Sequence, residues 1–540
     1  MNYRKLRTWR LISITKRINK MDIGNSYNPR IAQEKFDAII IGSGISGLGT
    51  AVFLSKAGKR VLVLEKHFKV GGYTHTFKRD DYEWDVGVHY IGEVGRKNSL
   101  VRRVFDYVSD GNLKWASMDD VYDRFIFPDK SYELTAGREN FIAGLNDWFP
   151  KERNAIVRYM ELLDEAAHSG RAFYAKKVMP LLANPLAVRK YMKLASRTAK
   201  EVITDLTRDE KLLGVLTSQW GDCGLPPGQI SFGIMAGIAR HYLEGGFYPV
   251  GGSRRFAETI VPVIEQSGGT VIVNTGVDEI IVRNGIAVGV RLENGDELSA
   301  PLIISSAGVA NTYGKFLRTA EISRPPLTKV EPSNGYICLH IGIKESAKAL
   351  GLQNSNLWVH ASYDHDRNYN DHLNGGITST PRSAFISFPS AKDPTWDEQH
   401  PNRCTIEIVT LASYDWFKQW EETKWKKRGA EYLEKKEELS DGLLNILYKH
   451  VPEVRGKVDY AELSTPLTTR DLANYPRGEL YGLAHTPERF QQKWLRPKTS
   501  VKNLYLTGQD IISAGVTGAL FAGVLTTSAI LKKNVMKAMP

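Results

Sequence analysis

The chain has 540 residues, of which 42% are hydrophobic, and it can therefore bury a large core. This length predicts two or more domains, and the composition excludes an intrinsically disordered chain. Cys223, Cys338 and Cys404 lie far apart and form no CxxC pair, so neither a disulfide framework nor a metal site is predicted. The net charge of +12 is unevenly distributed, and without a groove-reading motif nearby it does not predict a nucleic-acid partner.

Much of the positive charge lies in residues 1–35, which carry nine Lys or Arg against two acids, Asp22 and Glu34. We interpret this segment as a basic, disordered leader. It lacks the apolar region of a secretory signal, which leaves a transit sequence, a membrane-surface tether or a true start at Met21 as alternatives. The predicted location is intracellular, either cytoplasmic or peripheral to a membrane, with organelle targeting by the leader left open.

The first predicted strand covers residues 36–41 and leads through a glycine-rich turn into a helix over 50–57. The first glycine of the turn permits its tightness, the second lets the backbone approach a pyrophosphate, and the third lets the helix pack on the strand. A second strand over 60–64 delivers an acid to the position where it can meet a ribose hydroxyl. The residues predicted to hold a dinucleotide are Gly42, Ser43, Gly44, Ile45, Ser46, Gly47, Glu65 and Lys66.

A second glycine pair, Gly71-Gly72, follows shortly after Glu65. Simple nicotinamide-binding folds do not require this pair, whereas its spacing resembles that of large FAD proteins, where the backbone passes close to the ribityl and pyrophosphate groups. The alternative is a merely flexible loop. Together with the complete turn before it, the pair predicts FAD as the cofactor.

Two long insertions, residues 109–248 and 313–494, carry most of the aromatic residues and are predicted to form an α+β substrate domain. Within the first, residues 176–200 contain seven Lys or Arg and no acid among many apolar residues. This composition suggests peripheral contact with an anionic membrane surface. The alternative is a helix hairpin that packs its apolar face on the core.

The middle of the chain contains short β-segments between residues 269 and 306 with a hairpin turn at Asn294-Gly295. They predict a β-meander followed by a strand that returns to a parallel sheet, and residues 503–531 supply a last strand and helix. The run 511–531 is too rich in glycine and threonine for a membrane span. The fold class is therefore α/β, with a Rossmann-like, three-layer FAD-binding domain made discontinuously from residues 36–108, 249–312 and 495–535.

Four further stretches resemble the all-trans-retinol 13,14-reductases, or retinol saturases, within the carotenoid isomerase and phytoene desaturase clan of FAD proteins. They are YEWDVGVHYIG at 82–92, HYLEGGFYPVGGS at 241–253, FISFPSAKDPTW at 385–396 and NLYLTGQDI at 503–511. The resemblance runs from about residue 34 to 532 and includes both insertions. It departs from many family members at Tyr73-Thr74 and in its basic leader.

The resemblance implies further cofactor contacts beyond the first turn. Val277 is expected to meet the adenine through its backbone, Asp510 to meet the ribityl or pyrophosphate region, and the helix that begins near Gly515 to point its N-terminus at the ligand. The residues implied in this way are Val277, Gly508, Asp510 and Val516, and NAD(P)H is an expected electron donor.

The implied chemistry is saturation of one double bond in a conjugated isoprenoid, in which reduced flavin gives a hydride to one carbon and an acid protonates the other. The expected partner is a hydrophobic polyene, either a retinoid or a carotenoid. The candidate proton donors are His89, His241, Tyr242 and Tyr248, for each of which a purely structural role is the alternative. A carotenoid isomerase or desaturase, an amine oxidase and a flavin-free prenyl-binding module are the competing functions.

Overall fold

The computed structural model describes residues 23–539. Within them, twenty β-strands form three sheets and two short ribbons. In chain order they are β1 Asn25–Ser26, β2 Ala38–Ile41, β3 Val61–Leu64, β4 Thr76–Arg79, β5 Tyr82–Asp85, β6 Trp115–Ser117, β7 Val121–Ile126, β8 Ser131–Thr135, β9 Phe247–Pro249, β10 Thr270–Val273, β11 Val277–Arg283, β12 Ile286–Leu292, β13 Glu297–Ser299, β14 Ile303–Ser305, β15 Gly335–Ile343, β16 Asn356–His360, β17 Ser383–Ser387, β18 Cys404–Ala412, β19 Val458–Ser464 and β20 Leu504–Leu506.

Sixteen α-helices are present in the same part of the chain. They are α1 Ile45–Ser55, α2 Leu100–Val108, α3 Arg138–Trp148, α4 Arg153–Lys176, α5 Pro185–Ala195, α6 Ala199–Thr204, α7 Glu210–Leu216, α8 Phe232–Tyr242, α9 Arg254–Gln266, α10 His365–Asn374, α11 Pro389–Lys392, α12 Trp396–Gln399, α13 Ala430–His450, α14 Pro466–Ala473, α15 Pro487–Phe490 and α16 Gly515–Leu531.

A six-stranded parallel sheet in the order β1-β10-β3-β2-β14-β20 carries the dinucleotide turn. β2 and β3 are fully buried runs of aliphatic residues, as expected where a parallel sheet is covered on both faces. α1 is buried along its whole length and packs against α16 and α9. The predicted α/β fold with a Rossmann-like sheet is confirmed, and the strands β11-β12-β13 form the predicted antiparallel meander.

The insertions contribute a second, seven-stranded sheet in the order β19-β15-β18-β17-β16-β7-β8. Only the β16–β7 pair is parallel, which makes this a mixed sheet. Its two last strands come from the first insertion and the other five from the second. The sheet and the helices α3 to α8 pack around two hydrophobic clusters that are distinct from those of the parallel sheet.

The disorder predicted for the leader is wrong for residues 23–35. β1 adds to the edge of the parallel sheet, where Asn25 pairs with Ile272. Ile31 lies in a 3₁₀-helix and is buried against the meander side of the sheet, and the Tyr27 hydroxyl donates to Asp296 Oδ2 at 2.6 Å. The sheet edge supplies the backbone partners, which a short polar segment cannot reveal by its own pattern. Residues 1–22 lie outside the described part of the chain.

The basic segment 176–200 forms the end of α4, a short tip and α5. Val188, Tyr191 and Leu194 of α5 face the core, in agreement with the packed-hairpin alternative. At the tip, however, Leu181 is 98% exposed and Leu186 is 70% exposed. Between residues 23 and 539, no helix has both the length and the apolar composition that a membrane span requires.

Candidate functional site

The glycine turn is locked by a buried serine and by the acid at the end of β3. Gly42 adopts a left-handed φ of 95°, which favours glycine. The backbone N–H and the hydroxyl of Ser43 both donate to Glu65 Oε2, at 2.8 and 2.7 Å, and the Ser43 hydroxyl accepts from the Gly71 N–H at 3.1 Å. A Cβ at Gly47 would lie 2.2 Å from the Gly42 carbonyl oxygen, so this contact requires glycine.

Two helices point uncapped N-termini into the same cavity. The N-cap residues, Gly44 of α1 and Ala514 of α16, make no side-chain hydrogen bond to their helices. A Cβ placed on Gly44 or Gly515 would meet no atom within 4 Å, so the space beside both turns is open. Free N–H groups beside open space form an anion site, and two of them suit a pyrophosphate. The residues present therefore fit a dinucleotide.

The second glycine pair passes directly beside the first turn. Gly71 forms a bridge with Gly44, and a Cβ on Gly72 would lie 3.1 Å from the Gly44 Cα. Both glycines have positive φ, 124° and 56°. The next residue, Tyr73, is stacked on Tyr475 with ring centroids 5.8 Å apart. Because neither glycine has a side chain, the backbone at Gly71-Gly72 packs directly against the backbone of the first turn.

The cavity beside these turns has a volume of about 2400 Å³ and continues into the insertion domain. Most of the residues predicted for cofactor binding line it, and among the predicted proton donors only His89 does. The predicted residues that line it are Gly42, Gly44, Ile45, Ser46, Glu65, Lys66, Gly71, Gly72, Val277, Gly508, Val516 and His89. Ser43 and Gly47 do not line the cavity; they stabilise the glycine turn through their contacts with Glu65 and Gly42.

Asp510 lies in the wall behind the cavity. Its carboxylate accepts the backbone N–H groups of Val309 and Leu483, each at 2.8 Å, and its side chain is buried. These bonds connect the residues after β14 and the segment before α15 to the turn that precedes α16. The carboxylate therefore supports the wall, and its contact with a ligand stays a prediction.

Beyond the turns, the cavity is walled by aromatic side chains of the insertions. Trp358 and Phe385 pack with ring centroids 4.6 Å apart, and Tyr336 and Tyr481 form an edge-to-face pair at 5.8 Å. The other aromatic and aliphatic residues that line this region are Trp220, Tyr369, Val409 and Leu411. An elongated apolar ligand can lie against these rings.

His89 faces a buried carboxylate that the sequence analysis did not single out. Glu407 lies between two imidazoles, with Oε1 3.0 Å from His340 Nδ1 and Oε2 3.3 Å from His89 Nδ1. Burial alone would raise the pKa of Glu407, but the two imidazoles lower it to about 2. The sequence signal for this buried site was the position of Glu407 within the apolar run of β18, because an acid is rarely buried without partners.

Cys338 lies beside this pair, and its thiol, His340 and Glu407 place their donor atoms within 4.8 Å of one another. His340 Nδ1 already contacts Glu407, and burial raises the pKa of the Cys338 thiol well above its usual value. A protonated thiol is a poor metal ligand, because the thiolate is the form that binds. The group is therefore better described as a hydrogen-bonded cluster.

The cavity is not lined by three of the predicted proton donors, His241, Tyr242 and Tyr248, and their catalytic roles stay predictions. His241 Nε2 accepts the Gly92 N–H at 2.9 Å. Tyr242 is stacked on Tyr90 with centroids 4.1 Å apart, and the Tyr248 hydroxyl donates to Asp85. Gly246, next to β9, allows close packing, because a Cβ there would lie 2.6 Å from Met118 Sδ and 2.9 Å from Tyr90 Cδ2.

The fold and the site together define an FAD-dependent oxidoreductase with a Rossmann-like cofactor domain. The family model described as flavin containing amine oxidoreductase matches residues 45–531. An all-trans-retinol 13,14-reductase of Danio rerio is 33% identical over 531 residues, covering 93% of this chain and 87% of the relative. The chain belongs to the flavin-containing amine oxidoreductase family and, within it, to the family of all-trans-retinol 13,14-reductases.

Other relatives widen the range of activities found on this scaffold. A Danio rerio protein named an inactive all-trans-retinol 13,14-reductase is 30% identical, covering 93% of this chain and 86% of its own. The chloroplastic prolycopene isomerase 1 of an Oncidium hybrid cultivar is 28% identical, covering 91% of this chain and 83% of its own. The solved cyclohexylamine oxidase of Brevibacterium oxydans shares the fold at a TM-score of 0.59 and 18% identity, covering 94% of this chain and 99% of its own.

Proposed function

We propose that this protein saturates one C=C bond of a conjugated isoprenoid, converting all-trans-retinol to 13,14-dihydroretinol or acting on a related polyene. The observation that carries the proposal is the continuity of an aromatic cavity with the dinucleotide turns. A polyene placed against Trp358 and Phe385 would lie in the same cavity as the dinucleotide turns. The retinol reductase of Danio rerio, similar over both insertions, supports the same choice.

When bound and reduced, FAD supplies a hydride to one carbon of the double bond. The chain's own contribution is to hold the polyene in one register, to exclude water and to provide a proton for the second carbon. Fixing the two reactants against each other can contribute several kcal/mol to the lowering of the barrier. NAD(P)H as the source of electrons stays a prediction.

A carotenoid isomerase is the second candidate, and the similarity to a prolycopene isomerase favours it. Both reactions use the same cavity and the same cofactor. They differ in whether the product has gained two hydrogens, which only product analysis can decide.

The test is to purify the protein with FAD, reduce it anaerobically with dithionite, and add all-trans-retinol or members of a carotenoid panel. We expect a product two mass units heavier than its substrate, formed in equal amount to the flavin that is reoxidised. Products of unchanged mass with altered cis/trans geometry would replace the reductase with an isomerase. Unchanged substrates throughout would overturn both.

We also propose that the protein is a peripheral membrane protein that docks through the tip of residues 178–186. Leu181 and Leu186 project into solvent there, and the exposed cations Lys176, Arg189 and Lys190 lie beside them in the sequence. Apolar insertion next to cations suits an anionic lipid surface.

A further inference from the structure

Two carboxyl groups, the half-buried Asp222 and the buried Asp123, share one tyrosine at the cavity wall. The Tyr90 hydroxyl lies 3.0 Å from Asp123 Oδ2 and 3.3 Å from Asp222 Oδ2. Asp222 is the last residue of the 3₁₀-helix Ser218–Asp222 and lines the cavity, whereas Asp123 is fully buried in β7. A phenol has a single proton, so Tyr90 cannot donate to both carboxyl groups at once.

The hydrogen bonds around the two groups decide which of them is ionised. Asp123 accepts from the Asn356 amide at 2.9 Å and from the Gln219 amide at 2.9 Å, in addition to Tyr90. Asp222 has no hydrogen-bond donor other than Tyr90 in the part of the chain that the structure describes. Donors stabilise the anion, so the anionic charge belongs on Asp123, and the contact between Tyr90 and Asp222 needs a proton supplied by Asp222.

The surroundings of Asp222 favour the same protonation state. The titratable groups that face it are Tyr90, Asp123, Cys223, Tyr242, Tyr336 and Tyr481. Burial, and then the charge of Asp123, raise the pKa of Asp222 well above its usual value. The nearby Lys392 lies 5.9 Å from the Tyr90 ring centroid, and burial lowers the pKa of its amine to about 7.

We propose that Asp222 is the proton donor of the reaction and that Tyr90 is its positioning residue. This rests on the proposed saturation of a polyene. The hydride and its two electrons would be supplied by reduced FAD, for which a dihydronicotinamide is the expected reductant. The Asp222 carboxyl O–H bond breaks, its proton forms the new C–H bond at the second carbon, and the carboxylate left behind takes up a proton from water. Tyr90 turns its hydroxyl from Asp123 to the Asp222 anion and stabilises it, while Asp123 keeps its two amide donors.

The protonation of Asp222 can be tested without turnover, by thermal melting of the flavin-loaded wild type and of Asp222→Asn between pH 4.5 and 8. Folding takes up a proton at Asp222 wherever the unfolded carboxyl is ionised, so wild-type stability falls as pH rises above the ordinary aspartate pKa. The amide of D222N does not ionise, so this variant does not lose stability in the same way as pH rises. We expect the melting temperature of D222N minus that of the wild type to increase with pH. A difference that is constant with pH would overturn a protonated Asp222.

The donor role is tested by single-turnover oxidation of the reduced flavin by the polyene. Because general acids contribute on the order of 10²- to 10⁴-fold, we expect D222N to react at least about 100-fold more slowly at neutral pH. Its flavin content and its polyene affinity, measured by quenching of tryptophan fluorescence, should stay within about threefold of the wild type. The wild-type rate should fall at alkaline pH and the residual D222N rate should not.

The matched control is Asp120→Asn, which makes the same chemical change at an exposed carboxyl three residues before Asp123. D120N should match the wild type in rate and in the pH dependence of melting. A D222N rate within threefold of the wild type would overturn the donor role while leaving the proposed function intact. A wild type that saturates no polyene would instead remove the proposed function and the donor role together, and the melting series would still report the Asp222 proton.

Discussion

At the scale of single residues, the cofactor side of the site depends on glycines, which have no Cβ atom. Gly44 has ordinary backbone angles and open space beside it, so a larger residue there does not strain the fold but fills the anion cradle. Gly47 has no such space, because the Gly42 carbonyl lies where its Cβ would be. The two glycines of one motif thus serve different purposes, ligand binding and packing.

Replacing Gly44 with Leu should therefore remove FAD without unfolding the protein. We expect affinity for FAD to fall by at least about 100-fold, or roughly 2.8 kcal/mol, because the side chain occupies the phosphate space. Flavin released from the purified variant is measured by absorbance, and the fold by circular dichroism. Gly47→Ala should instead lower stability by about 1–3 kcal/mol through overpacking. Full flavin occupancy in G44L would refute this placement of the pyrophosphate.

Replacing Glu407 with Gln tests the buried charge between His89 and His340. The pKa of Glu407 is lowered in the folded state to about 2, so its contribution is present above the unfolded glutamate pKa and is lost as pH falls toward 2. We expect E407Q to cost on the order of 3 kcal/mol near neutral pH, and less below pH 4. Urea unfolding at pH 6.5, 4.5 and 3 measures this, and a cost that does not depend on pH would contradict it.

At the scale of secondary-structure elements, the site depends on the packing of α1 against α16. A Cβ on Gly523 of α16 would lie 3.0 Å from the Ser46 carbonyl oxygen and 3.0 Å from the Thr50 backbone nitrogen of α1. The Ser46 and Thr507 hydroxyls are hydrogen-bonded at 2.6 Å beside this contact. Both helices begin at the cavity. The separation between the helices therefore sets the distance between their two anion-binding N-termini.

Gly523→Val should push these helices apart. We expect a loss of about 1–3 kcal/mol in stability from overpacking, together with weaker FAD binding. Gly442→Val is the matched control, because a Cβ at Gly442 of α13 meets no atom within 4 Å. Chemical denaturation and flavin titration of both variants provide the measurement. Equal stabilities for the two variants would show that the helix contact tolerates the extra atoms.

At the scale of the whole molecule, the proposed membrane contact places charge and apolar surface at one tip. Each inserted leucine is worth about 1.5–3 kcal/mol, so Leu181→Glu with Leu186→Glu should weaken vesicle binding by more than tenfold. Co-sedimentation with phosphatidylcholine vesicles containing phosphatidylserine measures it, and high salt should weaken wild-type binding. Val157→Glu, at an exposed apolar residue of α4 outside the tip, is the control. Equal binding by the tip variant would place the membrane surface elsewhere.

The sequence alone determined the cofactor domain, because its signals are local. A glycine turn between a strand and a helix, and an acid at the end of the next strand, are fixed by backbone geometry over about thirty residues. Those constraints led directly to Gly42, Gly44, Gly47 and Glu65. The resemblance of four stretches extended the prediction to the family, which the comparisons confirm.

Tertiary structure decided which polar residues reach the cavity, because that depends on contacts between residues far apart in the chain. Tyr90, Asp123 and Asp222 come from three separate segments, and no local pattern joins them. Edge pairing with β10 ordered residues that looked like part of a leader. His241 and Tyr248 matched a motif, yet they do not line the cavity and are hydrogen-bonded to Gly92 and Asp85 instead. Motif spacing follows from the backbone, whereas the direction of a side chain follows from what packs around it.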